Sequence, residues 1–209
     1  MEPYTLMEDE EFLEDRRRAL KESVEYFSTQ NKQECERWVC IEFLKNLAIT
    51  FDETEALSPD DDPPDVVFRD ARFEIKDVLD PGRRRHAEYK AAFKKALETS
   101  NPQVLVGQFT THAIITPLQV GNHILTELEK FTSHYAPSVR ARLDLLFYVN
   151  LQKHFLEVGP MPETNTFVPF GWRSISVLLG WGALVFFAAP DAPSILHSKV
   201  GIVTQRKFE

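Results

Sequence analysis

Two cysteines in 209 residues cannot build a disulfide framework, and Cys35 and Cys40, five apart in one expected helix, do not have a zinc-ligand spacing. A reducing compartment follows, with the cytoplasm as the default. The start, MEPYTLMEDEEFLEDRRR, is acidic and lacks the apolar run of a secretory signal. Membrane-length apolar runs are also wanting. The strongest candidate, SISVLLGWGALVFFAAP at 174–190, only touches the lower limit for a spanning helix and is broken by Gly180 and Gly182. It reads as two short buried strands around a Gly-Trp-Gly turn, so no membrane partner is expected. Positive charge is short too: 24 Lys and Arg against 32 Asp and Glu leave a net charge of −8, which argues against a surface generally coated by nucleic acid.

What is present is a globular composition, 43% hydrophobic and 27% charged, on a chain long enough for one large domain or a domain with an appendage. The charge is uneven. Residues 1–62 carry a net −11, whereas residues 69–95 carry +4. The basic segment would attract a phosphate-bearing partner; the acidic one is a solvated helical surface.

Periodicity predicts an amphipathic helix over 8–28 and a more buried one over 33–49. A loop rich in Asp, Glu and Pro follows from Asp52 to Pro64, with a short strand near Ala56 and Leu57. Strands are expected at 65–69 and 72–79, a DPGRRR turn, a helix over 86–98, and a strand or strand pair within QVLVGQF and HAIIT. A further helix should start at Pro117. ARLDLLFYVN fits helix or strand. The order indicates an α/β or α+β fold, a mixed central sheet flanked by helices. The expected division is an acidic N-terminal helix (1–32), a core (33–116) and C-terminal helices and apolar strands packed on that core (117–209).

The stretch PDVVFRDARFEIKDV, 64–78, places three ionisable side chains in a β-rich run. A hairpin with a two-residue turn at Asp70 and Ala71 pairs Val67 with Glu74, Val66 with Ile75 and Asp65 with Lys76. Asp65, Val67, Glu74 and Lys76 then share one face, and Val66, Phe68, Phe73 and Ile75 the other. Two carboxylates so close stay ionised only if a cation joins them, and hard oxygen ligands suit Mg²⁺ or Mn²⁺. Lys76 would orient a water or stabilise charge building on a phosphate. The plainer alternative, a surface hairpin with an Asp65–Lys76 ion pair, leaves Glu74 without a role.

These residues resemble the PD-(D/E)xK nuclease superfamily, Pro64 and Asp65 standing as the PD and Glu74, Ile75 and Lys76 as the (D/E)xK. The surrounding elements are similar to that superfamily's restriction-endonuclease-like core over about 33–116, and the whole chain resembles a small family of uncharacterised bacterial proteins labelled endonucleases. The resemblance implies that Asp65, Glu74 and the carbonyl of Ile75 bind the metal and that Lys76 assists the attacking water. It also implies an acid from the preceding helix, for which Glu42 is the first candidate and Glu36 the second. Arg83, Arg84 and Arg85, with Lys90 and Lys94 beyond, are candidate phosphate contacts. The expected function is a Mg²⁺- or Mn²⁺-dependent nuclease acting on nucleic acid, DNA ahead of RNA, with a second copy of the chain as a candidate partner. The alternative is a non-catalytic interaction protein that assembles through the apolar strands between Ile175 and Ala189. His112, His123 and His134 recur every eleven residues without another sign of a metal cluster.

Overall fold

The computed structural model describes residues 9–106, 113–151 and 154–206. Its elements, in chain order, are α1 (Asp9–Tyr26), α2 (Lys32–Asn46), β1 (Ala56–Leu57), β2 (Val66–Phe68), β3 (Ala71–Leu79), α3 (Arg85–Glu98), β4 (Ala113–Ile115), α4 (Pro117–Thr132), α5 (Pro137–Arg140), β5 (Asp144–Asn150), β6 (His154–Leu156), β7 (Ser174–Leu179), β8 (Gly182–Ala188), α6 (Ser194–His197) and β9 (Val203–Gln205). The chain divides into two compact units, Met1–Cys35 with Pro81–Thr111, and Glu36–Asp80 with His112–Glu209. The segment expected as a core, 33–116, contributes to both. His112 and part of QVLVGQF lie outside the described residues.

In the smaller unit α1 packs on α3. Arg17 donates from Nε to the carbonyl of Ala96 and from Nη2 to that of Thr99, both at 2.9 Å, which satisfies two carbonyls at the C-terminal end of α3. Phe27 stacks on Tyr89 with ring centroids 5.1 Å apart.

The larger unit is built on a mixed seven-stranded sheet in the order β1-β2-β3-β5-β7-β8-β9, with β4 and β6 forming a separate parallel pair. β3, β5 and β7 run parallel; the outer pairings are antiparallel. Residues 117–209 therefore supply four of the seven strands rather than a layer on a finished core. β7 lies between β5 and β8, and all six of its side chains are buried. The apolar strands expected as an assembly surface are thus interior, and they join at a turn where Gly180 takes φ +54°. No helix among the described residues is long and apolar enough to cross a membrane.

Side-chain alternation separates two cores. On one face, Val66, Phe68, Phe73, Ile75 and Leu146 pack under Val39, Phe43 and Leu44 of α2. On the other, Val78, Leu145, Phe147 and Val177 pack under Val120, Ile124 and Leu128 of α4. Each fully buried Leu or Phe contributes on the order of 1.5–3 kcal/mol. α4 begins as its sequence dictates, with Pro117 in the first turn and a reciprocal cap in which the Thr116 hydroxyl accepts from Gln119 N and Gln119 Oε1 accepts from Thr116 N.

The β2–β3 hairpin turns at Arg69 and Asp70, one residue earlier than expected, and pairs Val66 with Phe73 and Phe68 with Ala71. Arg69 takes φ +54°, a left-handed conformation that a non-glycine side chain adopts only at some cost. Its guanidinium is anchored there by Glu55 Oε2 at 2.9 Å, by the carbonyl of Thr50 at 3.2 Å and by the Phe68 ring at 4.7 Å.

Candidate functional site

Extending the hairpin register by one pair sets Asp65 opposite Glu74, on the face away from α2. Asp65, buried at the entry to β2, accepts a hydrogen bond on Oδ2 from the backbone N–H of Ile75 at 2.8 Å. Asp62, exposed in the preceding loop, brings a third carboxylate: oxygens of Asp62, Asp65 and Glu74 lie within 4.8 Å of one another. Asp62 belongs to the acidic loop expected from Asp52 to Pro64, and the run DDDPPD at 60–65 is the one sequence signal for it.

Glu74 is 1% exposed. Its Oε1 accepts from Lys76 Nζ and from the Tyr135 hydroxyl, the latter at 2.5 Å, while Oε2 is buried with no hydrogen-bond partner among the described residues. Burial, and then the charge of Asp65, push the Glu74 carboxyl above its usual range against the opposing pull of Lys76 and Tyr135. Burial acts to lower Lys76, but its hydrogen bond to Glu74 and the neighbouring carboxylate charges prevail and raise it. Lys76 therefore stays an ammonium at neutral pH. The Tyr135 hydroxyl, held up by burial and by its bond to Glu74, is pushed up to about 12 and remains a donor.

Tyr135 reaches the site from 61 residues away, and no local pattern announces it. Just beyond α4, its carbonyl accepts from Arg140 Nη1 at 2.6 Å, and its ring meets Trp172 edge-on with centroids 5.3 Å apart. Trp172 is fixed in turn by donating from Nε1 to Thr132 Oγ1 at 3.1 Å.

The expected residues divide. Asp65, Glu74, Ile75 and Lys76 come together. Glu42 does not: its carboxylate faces Lys45 Nζ at 3.3 Å and Arg206 Nη1 at 4.0 Å, and α2 packs on the opposite sheet face. Glu36 is likewise outside the carboxylate cluster. Arg83, Arg84, Arg85 and Lys90 belong to the smaller unit. Arg83 pairs with Glu88 at 2.8 Å, and Arg85 is buried with its guanidinium 4.8 Å above the Phe27 ring. Arg84 and Lys90 are exposed.

Three carboxylates beside one ammonium leave excess negative charge in a partly buried place, and Glu74 Oε2 is an acceptor with no donor among the described residues. Hard oxygen donors so placed fit Mg²⁺ or Mn²⁺.

Among curated proteins none matches the chain. A solved structure from Pseudomonas aeruginosa strain PAO1, described as a protein of unknown function of the monooxygenase superfamily, is similar with a TM-score of 0.65 and 26% identity, covering 97% of each chain. A family model matches residues 8–208, and the chain belongs to that family, described as "Putative endonuclease, protein of unknown function (DUF1780)".

Proposed function

We propose that the chain is a metal-dependent nuclease of the PD-(D/E)xK type that hydrolyses phosphodiester bonds of nucleic acid, DNA ahead of RNA, with Mg²⁺ or Mn²⁺ as cofactor. The observation that carries the reading is the buried Glu74 Oε2 without a hydrogen-bond partner, set within a cluster of three carboxylates. The family's description as an endonuclease supports the same class.

Asp65 and Glu74 are the principal metal ligands, with Asp62 at the exposed side. The Ile75 carbonyl points to the same strand edge as its N–H, the edge facing Asp65, and is the backbone ligand. A bound divalent cation supplies positive charge that polarises water and offsets charge gathering on phosphoryl oxygens. Lys76, an ammonium, donates rather than accepts: it orients the attacking water and stabilises developing negative charge. Tyr135 engages Glu74 Oε1 and leaves Oε2 for the cation.

The description of the Pseudomonas protein gives a second reading, an oxygenase on this fold. The donor set favours hydrolysis. The facial triad of mononuclear non-haem Fe(II) oxygenases uses two histidines with one carboxylate, whereas this cluster is three carboxylates.

The deciding experiment is cleavage of single- and double-stranded DNA and RNA with Mg²⁺ or Mn²⁺, comparing wild type with Glu74→Ala and Lys76→Ala. Activity in the wild type and a loss of about 10²–10⁴-fold in both variants is the expected result. A wild-type protein that takes up no Mn²⁺ in a calorimetric titration would sink the reading.

A further inference from the structure

Arg72 stands two residues before Glu74 on the same face of β3, one strand repeat of roughly 7 Å away. It lines a cavity of about 400 Å³ with Pro63, Val139, Arg142, Leu143 and Arg173. Pro63 belongs to the chain between Asp62 and Asp65, so one wall of the cavity is continuous with the carboxylate cluster.

The three arginines are held to different degrees. Arg173 is fixed by Asp144, through Nε at 3.1 Å and through Nη2, and also donates from Nη2 to the carbonyl of Asp70 at 3.0 Å. Arg142 is tied by Nε to the carbonyl of Ser138 at 3.1 Å, which leaves its terminal nitrogens. The guanidinium of Arg72 makes no hydrogen bond or ion pair among the described residues, while its backbone N–H donates to Asp144 Oδ2 at 2.9 Å. Asp144 therefore pairs with the Arg173 guanidinium alone, and both of its oxygens are already occupied by two donors each. Converging like charges are destabilising until an anion joins them, and guanidinium forks match the oxygens of a phosphoryl group.

We propose that this cavity binds a phosphoryl group of the nucleic-acid strand, the neighbour of the one cleaved at the carboxylate cluster. The identity of the strand rests on the nuclease reading; the affinity for phosphate does not. The phosphoryl group is either an internal diester or a 5′-terminal monoester, and the arginines recognise the chemistry the two share.

The test needs no catalysis. Inorganic phosphate is titrated into the metal-free full chain, wild type against the Arg72→Ala/Arg142→Ala pair, with the Lys versions of both as the conservative control. Arg72 and Arg142 are exposed, so the variants keep the fold, which circular dichroism checks. Saturable binding by wild type, weakened about ten-fold or more in the double variant and partly restored by lysine, is the expected result. Equal affinity of wild type and double variant, or no binding by wild type, overturns the proposal. Oligonucleotides with a 5′-phosphate or a 5′-hydroxyl are then bound to Glu74→Gln protein in chelator. A preference for the 5′-phosphate that the two alanines abolish assigns the monoester; equal binding that they weaken assigns the diester. A protein inactive on every nucleic acid yet binding phosphate through these arginines would defeat the nuclease reading alone.

Discussion

Asp144 and Glu74 are buried carboxylates on adjacent strands of one sheet, with Asp144 paired to Phe73, the residue before Glu74. Asp144 receives four donors: Arg173 Nε and Ser174 Oγ on Oδ1, Arg72 N and Arg173 Nη2 on Oδ2. Glu74 receives two, both on Oε1. Folding has compensated the burial of Asp144 in full and that of Glu74 in half. A buried acceptor left without a donor costs on the order of 1–3 kcal/mol. The contrast separates a carboxylate that holds strands together from one whose proposed role is to take a cation.

The largest effect expected from that contrast is on stability. Asp144→Ala leaves the Arg173 guanidinium, 13% exposed, without its partner, and should lower the unfolding free energy by about 3–5 kcal/mol in urea denaturation. Glu74→Gln should stay within about 1 kcal/mol of wild type without metal, because its amide oxygen still accepts from Tyr135 and the repulsion with Asp65 is gone. Similar losses in the two variants would break the comparison and make Glu74 a structural partner of Lys76.

Much of this arrangement was legible in the sequence, for a reason the hairpin makes plain. The expected turn at Asp70 and Ala71 is displaced, so Asp65 faces Glu74 instead of Lys76. The register is off by two residues. A slip of two preserves side-chain parity where a slip of one would have inverted it, and the polar face survived the error. The displacement was hidden because Arg69, no usual turn residue, is held at positive φ by Glu55 and Phe68, contacts that exist only in the fold. The apolar pair around Gly180 and Trp181 was readable because alternation, length and turn chemistry agreed. Glu42 was misplaced because a helix's position in sequence does not say which sheet face it covers; α2 covers the other one. Tyr135 and Arg173 reach their carboxylates from 61 and 29 residues away, and only the parallel order of β3, β5 and β7 brings them in.

A smaller effect tests whether Tyr135 sets the poise of Glu74. Tyr135→Phe keeps the ring against Trp172 and removes only the donor at 2.5 Å. Loss of a hydrogen bond that orients a metal ligand lowers metal affinity by about 10–100-fold, and that is the expected fall in Mn²⁺ affinity by calorimetry. The accompanying change in unfolding free energy should be about 1 kcal/mol. Unchanged Mn²⁺ affinity would show that Glu74 is oriented by Lys76 alone.

The finest distinction lies in pH. Burial, reinforced by Asp65, raises the Glu74 carboxyl in the folded protein, so its neutral form is favoured on folding. Without metal, that linkage contributes stability in full below the unfolded value of about 4.3, and it is lost as pH rises through the raised folded value. Metal binding requires the ionised form, so the proton and the cation compete and the sign reverses. Mn²⁺ affinity should begin to fall on acidification at a pH above the ordinary glutamate range, by up to about ten-fold per pH unit once below the folded value. Lys76→Met removes an interaction that holds Glu74 down, and should move that onset to higher pH. An onset within the ordinary range, unmoved by Lys76→Met, would place metal affinity on Asp62 and Asp65 and return Glu74 to the structural class of Asp144.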